Sequence, residues 1–352
     1  MSDTADGPVD CVVIGAGIAG LSAARELAAA GCRTVILEKS RGVGGRMATR
    51  RVGSAVCDHG AQFFTVRTRP FGAAVAAASS AGVVRLWCEG FPRAAALDAE
   101  PGAPGDGHAR FRGATGMTDL PKRLAEGLPP GVVSLRTGVR AAATAVAEDG
   151  VTVTLEPGPD GAAESIRARG LVLTCPVPQA LDLLAAGDAL GRLDGDALAT
   201  LRGVDYDPCF ALMLVLDRAS LVPAPGGLQF ESGPVSWVAD NALKGISPVP
   251  ALTVHASGAW SRERFDADPA AVTRELEAIA SRWIGPATVV ERSLQRWKFA
   301  QPRSIVPAPL VSPSAAPPVA CCGDAFKGPR VEGAACSGQA TGRWMGRLLA
   351  SG

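Results

Sequence analysis

The chain has 352 residues, 47% hydrophobic and 20% charged, which suits a buried core and rules against a disordered polymer. Lys and Arg total 35 against 34 Asp and Glu, so a net charge of +1 gives no global attraction for nucleic acid or an acidic membrane. Nine cysteines without a CxxC pair, and three scattered histidines (His59, His108, His255), argue against a metal site and fit reduced thiols in a cytoplasmic protein.

At about 100–200 residues per domain, the length predicts two domains or one large α/β unit. Gly (42) and Pro (27) are abundant, while aromatics reach only 5% with a single tyrosine, Tyr206. The opening residues Met1 to Asp6 are acidic and lack a basic region, so no signal peptide is expected. No run approaches the ~18 apolar residues of a membrane span.

In chain order, the first element is a β-branched run, Cys11 to Ile14, followed by Gly15-Ala16-Gly17-Ile18-Ala19-Gly20. Helix formers from Leu21 to Ala28 end at Gly31, and a second β run, Thr34 to Leu37, stops on Glu38. Strand, glycine turn, helix, second strand and acid in this register form a dinucleotide-binding βαβ unit. Gly15 permits the tight turn, Gly17 lets backbone approach a pyrophosphate, and Gly20 lets helix and strand pack closely. The helix N-terminus supplies donors and positive potential, and Glu38 can accept from a ribose. The fingerprint by itself leaves flavin and nicotinamide dinucleotides both open.

A helix is predicted over 118–128, after Gly113-Ala114-Thr115-Gly116-Met117. Alternating runs at 132–135, 141–147 and 151–155, with turns at 148–150 and Pro157 to Gly161, predict a small antiparallel meander. Gly170 to Pro176 reads as a buried strand returning to a parallel sheet. Phe210 to Asp217 and Ala251 to Ala256 read as strands, and Asp268 to Ile284 as a helix starting at Asp268-Pro269. Asp98 to Gly107 is expected to be a mobile loop, and Ser304 to Pro318 a stiff, proline-rich crossing. Val319 to Asp324 reads as a buried strand ending in Gly-Asp, before a final helix from Gln339 to Leu349.

The residues after the second strand separate the two dinucleotides. Glu38-Lys39-Ser40-Arg41-Gly42-Val43-Gly44-Gly45-Arg46-Met47 resembles the extended flavin signature of the amine-oxidase-like flavoproteins. Gly45 to Arg50, Asp58 to Thr65, Arg296 to Ala300, Cys322 to Phe326 and Arg330 to Ala334 are similar to the renalase branch of that superfamily, and the likeness spans nearly the whole chain. It implies an α/β fold in which a Rossmann-type FAD-binding domain carries a second, mixed-sheet substrate domain. The expected division gives 1–82, 113–175 and 318–352 to the first, and 83–112 and 176–317 to the second.

The resemblance also implies FAD contacts. Gly15, Ala16, Gly17, Ile18, Ala19, Gly20, Glu38 and Lys39 belong to the fingerprint, and Gly45, Arg46 and Met47 to the glycine-arginine turn. Gly60, Ala61 and Gln62 are assigned to the flavin edge, and Val139 and Thr174 to loops beside the cofactor. Gly323 and Asp324 are assigned to the ribityl chain, and Val331, Glu332 and Ala334 to a helix start facing the flavin pyrimidine. Binding is expected to be noncovalent, although His59 and Cys336 are of types that can bond a flavin.

Hydride transfer to flavin N5 from isomeric dihydronicotinamide dinucleotides, with dioxygen as acceptor and hydrogen peroxide as product, is the activity the resemblance implies. The chemistry belongs to cofactor and substrate, so the protein must bind, orient and shield. His255 and Trp297 are the candidate catalytic residues, His255 for a substrate carboxamide and Trp297 for stacking or a pocket wall. Each also fits ordinary core packing. Lys298 alternates with Trp297 and is expected in solvent; Trp237 and Asn241 are candidates to close the pocket, and Tyr206 for a wall or hinge. An amine oxidase or desaturase is the alternative, weakened because a single tyrosine makes an aromatic cage hard to assemble, and a flavin-binding protein without turnover is a third reading. The expected partners are a small-molecule substrate and dioxygen, with no metal, nucleic acid or membrane; the oligomeric state stays open.

Overall fold

A computed structural model describes residues 9–103, 105–158 and 161–351. The acidic start, position 104 of the expected mobile loop, and positions 159–160 of the Pro157–Gly161 turn lie outside the described residues. The chain divides into two compact units, one of 1–45, 121–205 and 302–352, the other of 46–120 and 206–301. Compared with the division expected from sequence, 46–82 and 113–120 fall in the second unit, and 176–205 and 302–317 in the first. The reason is packing: the hairpin of Thr49–Val52 and Ala55–Asp58 covers a sheet face in the second unit, and Pro302 to Pro318 includes a strand of the first.

The first unit is built on an eight-stranded sheet. Its centre is the strand Val9–Ile14, parallel on one side to Ser165–Leu173 and on the other to Thr34–Glu38, with Val13 opposite Val172 and Ile36. Cys11, Val12 and Val13 are fully buried, as in a parallel strand covered on both faces. Pro318–Cys321 extends the parallel set beyond Ser165–Leu173.

Two strands differ from the sequence reading. The run at 132–135 leaves the meander: as Val133–Thr137 it pairs parallel to Thr34–Glu38, because a short alternating run does not specify its neighbour. The antiparallel meander is formed by Ala141–Ala147, Gly150–Leu155 and the first half of Ser165–Leu173. The stretch Ser304 to Pro318 contains an edge strand, Val311–Ala315, antiparallel to Pro318–Cys321, and edge positions are where a strand tolerates proline.

The last helix begins at Val331, not at Gln339, and runs to Ala350. Its glycines are explained by the first helix, Ile18–Ala29. A Cβ at Gly338 would stand 2.1 Å from the Ala19 carbonyl oxygen, and one at Gly342 would stand 2.4 Å from that of Ala23. Close backbone approach outweighs the roughly 1 kcal/mol that glycine costs inside a helix.

The second unit holds a six-stranded sheet, running from Val289–Pro302 through Tyr206–Leu216, Ala251–Ala256, Val235–Asp240 and Gly227–Phe230 to Arg93–Ala94. The last pair is parallel and the neighbouring pairs antiparallel, so the sheet is mixed. From Phe210 to Leu216 the strand Tyr206–Leu216 is apolar along both faces because both are covered. Phe210, Leu212 and Leu214 pack with Val272, Leu276 and Trp283 of the helix Pro269–Ile284, whose N-cap Asp268 accepts from the Ala271 N–H. On the opposite face, Met213 and Val215 meet Val52, Ala55 and Cys57 of the hairpin. Side chains alternate along a strand, so this second face also carries Thr253 and His255, opposite Met213 and Ala211. Among the described residues no helix is long and apolar enough to cross a membrane.

Candidate functional site

In the first unit, the first strand ends in a loop whose shape only glycine allows. Gly15 sits at φ +106°, and its N–H donates to the Leu37 carbonyl at 2.8 Å. A Cβ at Gly20 would fall 1.9 Å from the Gly15 oxygen, so helix and loop touch backbone to backbone. At Gly17 a Cβ would meet nothing within 4 Å, leaving that face of the backbone open. The first helical bond runs from the Leu21 N–H to the Gly17 carbonyl, and no side chain caps this end. The N–H groups of Ile18, Ala19 and Gly20 therefore precede the ladder, an arrangement suited to an anion.

Glu38 is buried, and its carboxylate accepts from the Ala16 N–H at 2.9 Å and the Ser40 N–H at 2.8 Å. These bonds aim it beside the loop while leaving lone pairs for hydroxyl donors. The second glycine turn seats on the first: the Gly44 N–H donates to the Ala16 carbonyl, and a Cβ at Gly45 would come 3.6 Å from the Gly17 Cα. Thr174 braces the loop by donating to the carbonyls of Ile14 (2.9 Å) and Gly15 (3.2 Å). Val139 follows the adjacent strand, its N–H on the Glu38 carbonyl at 3.0 Å. Lys39 is directed elsewhere, toward Gln179 Oε1 at 3.5 Å.

Gly323, at φ +139°, donates its N–H to Ser337 Oγ in the last helix, and Asp324 follows half-buried. That helix starts at Val331 without a side-chain cap, with Glu332 and Ala334 buried in its first turn. These features fit a dinucleotide: an open cradle at Gly17, uncapped amides for a pyrophosphate, and an aimed carboxylate for vicinal hydroxyls.

In the second unit, the hairpin strand Ala55–Asp58 leads into a turn, Asp58 to Gln62, that is gripped along its length. The Asp58 carbonyl accepts from Thr253 Oγ1 (2.9 Å) and Gln62 Nε2 (2.7 Å). The His59 carbonyl accepts from Trp297 Nε1 (2.8 Å), and the Gly60 carbonyl from Gln62 Nε2 (3.1 Å). Lys244 Nζ holds the Gln62 carbonyl at 2.6 Å, and the Ala61 N–H donates to the Arg46 carbonyl at 2.8 Å. A Cβ at Gly60 would lie 2.0 Å from that same Arg46 oxygen, so the position admits no side chain.

Beneath the turn lies a fully buried ion pair, Lys244 Nζ to Asp58 Oδ2 at 2.6 Å. Asp58 Oδ1 accepts from the Met117 N–H at 2.8 Å and from Thr49 Oγ1 at 2.5 Å. Burial draws the Lys244 ammonium below the usual lysine range while Asp58 opposes it. His255 Nε2 lies 3.4 Å from Gln62 Nε2. Burial, then the neighbouring His59 and Lys244, lowers His255 to about 4, so its imidazole is neutral at pH 7. His59, stacked on Trp297 with ring centroids 5.4 Å apart, is likewise lowered to about 4 by burial and then by Arg50. Gln62 Oε1 and His59 Nδ1 are enclosed yet have no hydrogen-bond partner among the described residues. Such orphaned atoms fit a bound group that completes them.

The structure thus brings Gly60, Ala61, Gln62, His255 and Trp297 together. Arg46 directs Nη1 at the Phe299 and Ala300 carbonyls, both 3.3 Å away, with Tyr206 beneath its guanidinium; Met47 is buried. Asn241 is wholly buried and bonds Thr253 and the Asp58 N–H, so it supports the turn and closes no pocket. Lys298 is exposed. Sequence reasoning missed Lys244, Thr253 and a ring cluster in which Trp237 lies 4.8 Å from Phe91 and 5.6 Å from Phe63, with Trp87 4.7 Å from Phe91. No signal in the sequence announces that these aromatics converge.

With this geometry in view, the comparisons are decisive about family. A profile described as flavin containing amine oxidoreductase matches residues 78–342, and one for an NAD(P)-binding Rossmann-like domain matches 13–77. The chain belongs to the flavin-containing amine oxidoreductase family. The protein is accordingly a flavin-dependent oxidoreductase with a Rossmann-like domain and an amine-oxidase-type domain. Among solved structures it is similar to a putative protoporphyrinogen oxidase from Exiguobacterium sp. 255-15, with TM-score 0.71 and 14% identity over 98% of this chain and 99% of that one. Cyclohexylamine oxidase from Brevibacterium oxydans IH-35A gives TM-score 0.70 and 15% identity, covering 97% and 100% of the two chains. At these identities the likeness is one of fold. A curated relative, Protein anon-37Cs of Drosophila melanogaster, is 50% identical over 56 residues, which is 16% of this chain and only 11% of that protein.

Proposed function

We propose that the protein is a renalase-like oxidase that binds FAD noncovalently and oxidises isomeric dihydronicotinamide dinucleotides. The supporting observation is the neutral His255 beside the orphaned Gln62 amide oxygen on a rigid turn. A primary carboxamide presents two N–H donors and a carbonyl acceptor, of which one donor suits a free amide oxygen and the carbonyl suits an imidazole N–H. When bound, FAD would supply a hydride acceptor at N5, with dioxygen as the proposed final acceptor and hydrogen peroxide as the product.

The chain's own residues bind and orient. Ile18, Ala19 and Gly20 offer amides to the pyrophosphate, and Glu38 accepts from the ribose. Gly323, Asp324, Val331, Glu332 and Ala334 serve the ribityl and pyrimidine portions, with Gly45, Arg46, Met47 and Val139 completing the cofactor contacts. Gly60, Ala61 and Gln62 form the flavin edge, and Trp297, fixed by its bond to His59, walls the substrate side. Lys244 is committed to Asp58 and takes no acid–base part. The same reading has the enzyme cytoplasmic, acting on a small molecule and dioxygen without nucleic-acid or membrane partners; its balanced charge and cysteines without disulfides support this.

A second reading, oxidation of an amine, is favoured by the converging rings of Phe63, Trp87, Phe91 and Trp237, an aromatic cluster assembled without a tyrosine. Anaerobic mixing of the purified yellow protein with a donor panel separates the two. Rapid bleaching by dihydronicotinamide isomers is expected; bleaching by amines alone would replace the first reading with the second. Acid precipitation should leave the yellow colour in the supernatant.

A further inference from the structure

We propose that Lys244 is a positioning residue: through its ion pair with Asp58 and its bond to the Gln62 carbonyl, it holds the Gln62 side chain as a fixed hydrogen-bond acceptor. The inference rests on the reading that the Asp58–Gln62 turn meets the bound flavin or its substrate. An ammonium has three protons, and here one meets Asp58 Oδ2 at 2.6 Å, one meets the Gln62 carbonyl at 2.6 Å, and the head lies 4.8 Å from the Trp87 ring centroid. The lysine is itself held by a self-bonded loop. Asp240 Oδ1 accepts from the Ala242 and Leu243 N–H groups, and the Lys244 N–H donates to the Asp240 carbonyl at 2.8 Å.

Buried ion pairs seldom stabilise a fold more than apolar residues of the same size would, so stability alone does not account for this one. An apolar pair cannot place a donor on the Gln62 carbonyl. With that backbone fixed, both Gln62 Nε2 protons go to the Asp58 and Gly60 carbonyls, at 2.7 and 3.1 Å. The amide orientation is thereby set, and Oε1 is left as an acceptor that selects a ligand atom carrying its own proton.

Lys244→Met alone strands the Asp58 charge and is expected to lower the melting temperature sharply. The neutral double variant, Lys244→Met with Asp58→Asn, is expected to recover most of that loss. It should still exchange the amide protons of residues 59–62 about tenfold faster than the parent, because the charged hydrogen bond to Gln62 is gone. In the yellow holoprotein its visible bands and midpoint potential should stay displaced, and in a Gln62→Met background the same double change should shift the potential no further. Parental exchange and potential in the double variant would show the pair to be only structural, and additive shifts would show that it acts elsewhere. A parent protein that binds no flavin would sink the functional reading instead, while the exchange measurement still decides the positioning role.

Discussion

The glycine loop of the first unit and the Asp58–Gln62 turn of the second are both rigid, but they are made rigid by opposite means. Around Gly15 to Gly20 the shape comes mostly from backbone: a positive φ, a missing Cβ, and carbonyls and amides bonded to the adjoining strand and turn, with Thr174 and Glu38 adding side-chain braces. Around Asp58 to Gln62 it comes from side chains that arrive from 241, 244, 253 and 297. The first kind of site presents generic donors to any pyrophosphate. The second presents a few atoms, each with a fixed hydrogen-bonding sense, and is where discrimination between substrates can be built.

That contrast can be broken most forcefully at Gly20. Gly20→Ala places a methyl against the Gly15 carbonyl and is expected to cost roughly 3 kcal/mol or more, with flavin lost from the folded fraction; a melt and the ratio of 450 to 280 nm absorbance would show it. Next in size is the acid limb of stability. His59 and His255 are neutral when folded, each near 4, against about 6.5 unfolded. The unfolded chain binds more protons between those values, so their contribution is fully present above about 6.5 and lost as pH falls toward 4. Urea midpoints across that window should fall with a slope approaching about two protons, and His255→Gln should remove about one of them.

Smaller effects sharpen the comparison. Thr253→Val removes a donor from the buried Asp58 carbonyl and a partner from Asn241, and should cost about 1–3 kcal/mol in chemical denaturation. Thr174→Val loosens the backbone-built loop by about 1 kcal/mol and should weaken flavin retention on dialysis more than it alters substrate bleaching. Lys298→Ala, on an exposed side chain, should stay within about 0.5 kcal/mol and leave the anaerobic reduction rate unchanged.

The same contrast governs what could be read in advance. The fingerprint, the acid at Glu38, the helix behind Asp268 and the buried strand before Gly323 were legible because each rests on residues close in sequence. Which strand Val133–Thr137 would join was not, since pairing is a long-range choice. The early start of the last helix was hidden by Gly333 and Gly338, whose poor helix propensity is overruled by contact with the Ala19 backbone in the latter case. Lys244 was illegible for a different reason. A lysine in an open segment reads as solvated, and only the hairpin's seat on the sheet supplies the Asp58 carboxylate that makes its burial tolerable.

The fit of Gly338 and Gly342 against Ala19 and Ala23 also sets a timetable. The first helix leaves the ribosome with its apolar stripe uncovered, and the surface that covers it is translated about three hundred residues later, a very long loop to close. Through most of synthesis the amino-terminal βαβ segment must wait half-wrapped, open to chaperones and to neighbouring nascent chains. A stall or early stop in the last helix would therefore release a chain defective at its beginning as well as at its end.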